Sequence, residues 1–157
     1  MNNTFASDAL KNKVALVTGA GHGIGKATAT LLAELGARVI INDVNAETAE
    51  ETAAELVARG LEASACAADV MVRRAVTKMV GEVIQRNGGI DVLVNNAGST
   101  LGEQKFDSFA TEDEELIERI VQLNLMGAVW CSRAACGHMS ERRRGCIISV
   151  SSSVALP

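Results

Sequence analysis

The sequence is most informative at first through what it lacks. Its 157 residues include no tyrosine, one proline (Pro157), two histidines and four cysteines without a Cys-x-x-Cys pair, so no metal site is expected. No apolar run is long enough to cross a bilayer, and residues 1–13 lack the apolar core of a signal peptide. The net charge of −4 argues against nucleic-acid and anionic-membrane partners. These absences favour a cytoplasmic protein with buried, reduced thiols.

The arrangement of apolar residues predicts one domain over residues 1–157 with an α/β fold. Hydrophobic residues make up 48% of the chain, enough for a proper core. Short apolar runs predict strands at 14–17, 38–41, 62–67, 92–94 and 146–150. Three- and four-residue spacing predicts helices at about 24–35, 45–59, 72–84 and 111–141, the last with a Thr111–Glu114 capping box. This alternation indicates a doubly wound parallel sheet with helices on both faces.

A glycine-rich segment, TGAGHGIGKAT at residues 18–28, follows the first predicted strand. A P-loop nucleotide hydrolase would need glycine at position 20 and a hydroxyl residue at position 27, where Ala20 and Ala27 stand. The G-x-G-x-x-G pattern also fails in every frame. The remaining T-G-x-x-x-G-x-G pattern lets the backbone approach a pyrophosphate, and a helix that begins near Ile24 offers free N–H groups. The alternative is a tight turn without a ligand.

Asp43 ends the second predicted strand, 24 residues after Gly19. A carboxylate there can accept hydrogen bonds from both adenine-ribose hydroxyls and would repel a 2′-phosphate. Positions 22 and 44 carry His22 and Val44, and neither is an arginine or a lysine that would attract that phosphate. NAD is therefore favoured over NADP, with helix capping by Asp43 as the alternative.

Six motifs in order resemble the short-chain dehydrogenase/reductase family of the T-G-x-x-x-G-x-G type. They are TGAGHGIG at 18–25, Asp43, Asp69-Val70, NNAG at 95–98, Asn124 in QLNLMG, and GCIISVSSS at 145–153. The resemblance implies a Rossmann-like sheet with strand order 3-2-1-4-5. It also implies hydride transfer between NAD, or less favourably NADP, and a small-molecule secondary alcohol or ketone.

The resemblance also implies roles for individual residues. Asn124 would anchor a water that relays a proton, and Ser152, with Ser151 and Ser153 as alternatives, would orient the substrate oxygen. Asn95 would help to hold the sheet together. The implied cofactor-binding residues are Gly19, Gly21, His22, Gly23, Ile24, Gly25, Asp43, Asp69, Val70, Asn96 and Gly98. Without a ligand, Asp69 would be a helix cap, and NNAG and the serines ordinary turns.

The sequence departs from the family in one respect. The family's Tyr-x-x-x-Lys pair is absent, and no tyrosine elsewhere replaces it. We therefore expect an incomplete version of a longer enzyme, with the later strands missing, inactive alone and homo-oligomeric when complete. The alternative is a non-catalytic NAD-binding module. Phe106 and Phe109, in the predicted loop 99–110, are candidates to line a substrate pocket or to pack under the loop.

Overall fold

The computed structural model describes residues 8–101 and 113–152. Within those ranges, strands and helices alternate along the chain as the apolar pattern predicts. The elements are β1 (Val14–Thr18), α1 (Gly23–Glu34), β2 (Arg38–Asp43), α2 (Ala46–Ala58), β3 (Ala63–Ala67), α3 (Arg73–Asn87), β4 (Val92–Asn95), α4 (Glu114–Val121), a π-helical turn (Gln122–Met126), α5 (Gly127–Glu141) and β5 (Cys146–Ser149).

The five strands form one parallel sheet in the order β3-β2-β1-β4-β5, which confirms the predicted fold and strand order. Strand β1 pairs with β2 on one side and with β4 on the other. The order in which strands are added therefore reverses at β1: β2 and β3 extend the sheet on one side, and β4 and β5 extend it on the other. Helix α1, which follows β1, and helix α5, which comes after β4, pack on opposite faces of the sheet, so a crevice opens at the carboxyl ends of these strands.

The core has two halves, one on each face of the sheet. All five residues of β1 are buried, and they alternate between the halves: Leu16 belongs to the cluster that includes α3 and α5, whereas Val17 belongs to the cluster that includes α1 and α2. Because both faces are covered, β1 reads as a continuous apolar run rather than as an alternating one.

The predicted boundaries hold where a local signal sets them. Asn45 caps α2, and its side-chain oxygen accepts hydrogen bonds from the N–H groups of Glu47 and Thr48. Gly36 and Gly60, which follow α1 and α2, both have positive φ angles, of 91° and 80°. Glycine adopts this left-handed conformation without the steric cost that a side chain adds.

The helix predicted for 111–141 differs in the structure. Thr111 lies outside the described residues, and Asp113 caps α4 by accepting a hydrogen bond from the N–H of Glu115 at 3.0 Å. The π-helical turn then separates α4 from α5. The single predicted helix is thus two α-helices joined by a π turn, a feature that often occurs at functional sites.

The prediction that the thiols are buried is wrong for two of the four. All four cysteines are free; Cys131 is buried and Cys66 is half-buried, whereas Cys136 and Cys146 are exposed. Burial raises the pKa of the Cys131 thiol to about 12. Cys146 is exposed because it lies on β5, an edge strand of the sheet whose four residues are all exposed.

Asp91 joins the end of α5 to the sheet, a contact that sequence reasoning missed. One carboxylate oxygen accepts a hydrogen bond from the N–H of Val14 at 3.0 Å, and the other lies 3.2 Å from Arg142 and 3.3 Å from Arg144. Arg142 and Arg144 therefore supply two partners to a buried carboxylate. Among the described residues, no helix is long and apolar enough to cross a membrane.

Candidate functional site

A cavity of about 620 Å³ occupies the crevice at the carboxyl ends of β1, β4 and β5. It brings together nine of the thirteen site residues predicted from the sequence. The cavity is lined by Gly19, His22, Gly23, Ile24, Gly25, Asn96, Ala97, Gly98, Asn124, Val150, Ser151 and Ser152. The predicted residues outside this lining are Gly21, Asp43, Asp69 and Val70.

The glycine loop between β1 and α1 packs tightly against the segment after β4. Gly19 has a φ angle of 62°, and a Cβ atom on it would lie 2.8 Å from the Cα of Ala97. A Cβ atom on Gly25 would lie 2.5 Å from Asn96 Nδ2 and would overlap the carbonyl oxygen of Gly19. Side chains at either position would push the two segments apart, so these glycines set the width of the crevice.

The start of α1 is open toward the cavity. Its N-cap residue, His22, makes no side-chain capping hydrogen bond, and a Cβ atom on Gly23 would meet nothing within 4 Å. The first N–H groups of a helix have no partners within the helix and carry the positive end of its dipole. This end of α1 can therefore accept an anionic group.

Thr18 ties the two loops together below the cavity. Its hydroxyl oxygen accepts hydrogen bonds from the N–H groups of Asn96 at 3.0 Å and Ala97 at 3.1 Å, and it donates to the carbonyl of Val94 at 3.4 Å. The residue is only 2% exposed. The threonine that opens the glycine motif thus orders the NNAG segment.

We expect Thr18→Val to lower the free energy of unfolding by about 2 kcal/mol, because two N–H groups lose their acceptor and each unsatisfied buried group costs about 1–3 kcal/mol. The measurement is urea unfolding of the wild type, Thr18→Val and Thr18→Ser. The serine variant keeps the hydroxyl and should retain most of the stability. Equal stability of the valine variant and the wild type would contradict this role.

The two asparagines of NNAG point in different directions. The amide nitrogen of Asn95 donates to Ser132 Oγ at 2.9 Å and to Ser149 Oγ at 3.5 Å, and so links β4 to α5 and β5. The amide nitrogen of Asn96 donates to the carbonyl oxygens of Thr18 and Gly19, both at 3.0 Å. Asn95 therefore has a position suited to the predicted structural role, while Asn96 fixes the glycine loop at the cavity wall.

Asp43 lies at the end of β2 and is 8% exposed. One carboxylate oxygen accepts a hydrogen bond from the N–H of Gly21 at 3.0 Å, and the other accepts one from the N–H of Asn45 at 3.1 Å. Thr52 on α2 donates its hydroxyl to the carbonyl of Gly21 at 3.0 Å, a contact that sequence reasoning missed. The N–H and the carbonyl of Gly21 are thus both hydrogen-bonded, and the Asp43 carboxylate lies beside the glycine loop.

Asn124 belongs to the π-helical turn and faces the segment after NNAG. Its amide nitrogen donates to the carbonyls of Ser99 at 2.8 Å and Ile120 at 2.9 Å, and its side-chain oxygen accepts from the N–H of Ser99 at 3.1 Å. A Cβ atom on Gly98 would lie 2.7 Å from that oxygen. The glycine therefore gives Asn124 room to reach the backbone beside the cavity.

Asp69 and Val70 lie on the loop between β3 and α3, outside the cavity lining. The Asp69 carboxylate accepts a hydrogen bond from the N–H of Met71 at 2.8 Å and so closes a turn before α3. The Val70 side chain is buried in the core, where a Cβ atom on Gly127 would lie 3.0 Å from its Cγ2. Gln122 donates to the carbonyl of Met71 at 2.8 Å, so the π-helical turn holds this loop as well.

Comparison with known proteins gives the family. The model of the family described as short chain dehydrogenase matches residues 13–156, and the chain belongs to this family.

The proteins similar to this chain include enzymes whose names give different substrates. The chain is 38% identical over 143 residues to the (2S)-[(R)-hydroxy(phenyl)methyl]succinyl-CoA dehydrogenase subunit BbsD of Thauera aromatica, which covers 91% of this chain and 56% of the relative. It is 37% identical to versicolorin reductase 1 of Aspergillus parasiticus over 93% of this chain and 54% of the relative. A solved structure, a hydroxysteroid dehydrogenase from Escherichia coli, superimposes with a TM-score of 0.83 at 32% identity, over 93% of this chain and 58% of that one.

The chain spans little more than half the length of these relatives, 54% to 58%. Members of this family use NAD or NADP and act on small molecules. Cytoplasmic location and homo-oligomer formation stay predictions from the sequence.

Proposed function

We propose that the crevice binds NAD and that the protein transfers hydride between NAD and a secondary alcohol or ketone. One observation carries the proposal: a single cavity is lined by the glycine loop, by NNAG residues and by both Asn124 and Ser152. The residues proposed to bind the cofactor and those proposed to orient the reacting oxygen therefore line the same cavity.

The residues present fit a dinucleotide. The start of α1 lacks a side-chain cap and has open space at Gly23, so the backbone N–H groups of residues 22–24 would hold the pyrophosphate, while that of Gly21 is bonded to Asp43. Asp43 would hold the adenine ribose, with Asn96 along the same ribose. Asp69 and Val70, on the loop before α3, would contact the adenine. Because the Val70 side chain is buried, Val70 would do so through its backbone. When bound, the nicotinamide supplies the hydride chemistry.

Ser152 and Asn124 are the proposed catalytic residues of this chain. Ser152 is exposed at the cavity, where its hydroxyl would orient the substrate oxygen. Asn124 would anchor a water for proton movement, and its hydrogen bonds to Ser99 hold its side chain at the cavity wall. Both residues position groups for a proton transfer; neither has the acidity to perform it alone.

The charges around Asp43 support NAD rather than NADP. A buried carboxylate at the end of β2 would repel a 2′-phosphate. Lys26, a basic residue of the same loop–helix unit, has its ammonium group 2.5 Å from the Glu55 carboxylate. His22 and Val44 supply no fixed positive charge. Within residues 8–101 and 113–152, no ion pair joins a cation to the Asp43 carboxylate to offset that repulsion.

A second candidate function, NAD binding without turnover, is favoured by the absence of tyrosine from the 157 residues. A positioned general acid or base contributes about 10²–10⁴-fold to rate. We expect a polypeptide of these residues to bind NAD and to show at most residual dehydrogenase activity. Calorimetric titration with NAD and absorbance assays for NADH formation with secondary alcohols test this on material of verified mass.

The two measurements separate the candidates. Binding with residual turnover supports the proposed site and the need for a proton-transfer residue that this segment lacks. Rapid turnover by the 157-residue polypeptide would contradict that need, and failure of the folded polypeptide to bind either dinucleotide would contradict the site itself.

A further inference from the structure

A second large groove lies between α3 and α5, away from the dinucleotide crevice. Its volume is about 710 Å³, and it shares no lining residue with the first cavity. It is lined by Arg73, Arg74, Thr77, Lys78, Val80, Gly81, Ile84, Trp130, Arg133 and Ala134. We refer to it as the α3–α5 groove. The function proposed above uses none of its residues.

The α3–α5 groove is positively charged on a negatively charged protein. Four of its ten lining residues are cationic and none is acidic, although the whole chain has a net charge of −4. Lys78 lies 3.8 Å from the Glu82 carboxylate. Among the described residues, the three guanidinium groups have no carboxylate within ion-pair distance. The positive charge of the three arginines is therefore not balanced by an ion pair, in contrast to that of Lys78.

Two of these arginines stand where a cation is unfavourable. Arg73 and Arg74 are the first two residues of α3, whose first turn contains no acidic residue and whose N-cap residue, Val72, makes no side-chain capping hydrogen bond. The helix dipole places partial positive charge at this end, so cations there raise the free energy and an anion lowers it. An anion bound in the groove would offset the repulsion between each of these two arginines and the helix dipole.

Trp130 contributes its ring to the wall of the groove. Its ring lies under the Arg73 guanidinium, with 5.8 Å from Cζ to the ring centroid, in the range of a cation–π contact. Its buried Nε1 has no hydrogen-bond partner among the described residues. Buried tryptophan N–H groups usually have an acceptor, so this one would pair with a ligand oxygen only after a side-chain shift that exposes it.

We propose that the α3–α5 groove binds a small anion that carries two or more phosphate groups. Guanidinium groups bind phosphate oxygens in a bidentate manner, and several such groups around one space suit a multiply charged ligand. The volume is that of a small-molecule site, and the net negative charge of the chain disfavours a nucleic-acid strand. The diphosphate group is the shared chemistry of free pyrophosphate and of a nucleotide or nucleotide-like coenzyme.

The chain offers a direct reporter, because Trp130 is its single tryptophan and it has no tyrosine. Titration of inorganic pyrophosphate at constant ionic strength should change the Trp130 fluorescence in a saturable manner, while sulfate should act far more weakly. In the Arg74→Gln/Arg133→Gln variant, we expect the dissociation constant to rise at least about tenfold, as for loss of one or more charge-assisted hydrogen bonds.

The matched control is Arg119→Gln/Arg143→Gln, which removes the same charge from exposed positions outside the groove. It should bind pyrophosphate at the groove as the wild type does, and neither double variant should change the affinity of the dinucleotide crevice for NAD. If neither the wild type nor either double variant bound NAD, the proposed function would be contradicted and the groove result would still stand. ADP provides the second arm: tighter groove binding than pyrophosphate indicates a nucleotide source, and equal binding indicates the phosphates alone.

Three results would overturn the proposal. The first is a fluorescence change that does not saturate or that sulfate reproduces at equal ionic strength. The second is equal weakening in the groove variant and in the control. The third is preferential binding of an acidic peptide over pyrophosphate, which would make the groove a protein-docking surface instead.

Discussion

Gly25→Ala is expected to abolish measurable NAD binding and to lower the free energy of unfolding by about 1–3 kcal/mol, the usual cost of overpacking. The added methyl group would lie 2.5 Å from Asn96 Nδ2 and would overlap the Gly19 carbonyl oxygen. These two atoms already form a hydrogen bond of 3.0 Å with each other. The methyl group can therefore be accommodated only by separating the glycine loop from NNAG, the two walls of the crevice.

Gly81→Ala is the matched control for this substitution. Gly81 lies inside α3, and a Cβ atom on it would meet nothing within 4 Å. Because alanine is the better helix former, the variant should gain about 0.5–1 kcal/mol in stability and should bind NAD unchanged. Urea unfolding and calorimetric NAD titration on both variants test the pair. Wild-type NAD affinity in Gly25→Ala would show that the close approach does not matter.

Asp43→Ala is expected to weaken NAD binding by about 10- to 100-fold, the cost of one or more hydrogen bonds to a charged group. Its carboxylate would bond the adenine ribose, and in the structure it also holds the N–H of Gly21 at 3.0 Å. NADP should lose far less affinity, because removal of the negative charge also removes the repulsion of its 2′-phosphate.

The ratio of NAD to NADP affinity separates recognition from simple loosening of the loop. Asp43→Asn keeps the shape and one acceptor oxygen, so it should retain the Gly21 contact while the preference for NAD falls. Titration of both dinucleotides against the wild type and both variants gives the ratios. An unchanged ratio in Asp43→Ala would contradict the selection of NAD by this carboxylate.

The sheet could be predicted from the sequence because the local signals and the global fold agree. Strand β1 is buried on both faces, so its residues form the continuous apolar run that marks a central parallel strand. The Asn45 cap and the glycines after α1 and α2 are likewise local features that one residue specifies.

The contacts that arrange the site could not be read in the same way, because they join distant parts of the chain. The hydroxyl of Thr18 accepts hydrogen bonds from residues 78 and 79 positions away, and Gln122 in the π-helical turn reaches Met71 at a separation of 51. No periodicity encodes such pairs. The family resemblance nevertheless predicted Asn124 and Ser152 as site residues, and both line the same cavity as the glycine loop.

Dinucleotide binding in the crevice is tested most directly by a crystal structure of the protein with NAD. We expect the pyrophosphate on the backbone N–H groups at the start of α1, the adenine ribose beside Asp43, and the nicotinamide at the end of the cavity that Asn124 and Ser152 line. Dinucleotide bound elsewhere on the surface, or absent from a correctly folded protein at saturating concentration, would contradict it.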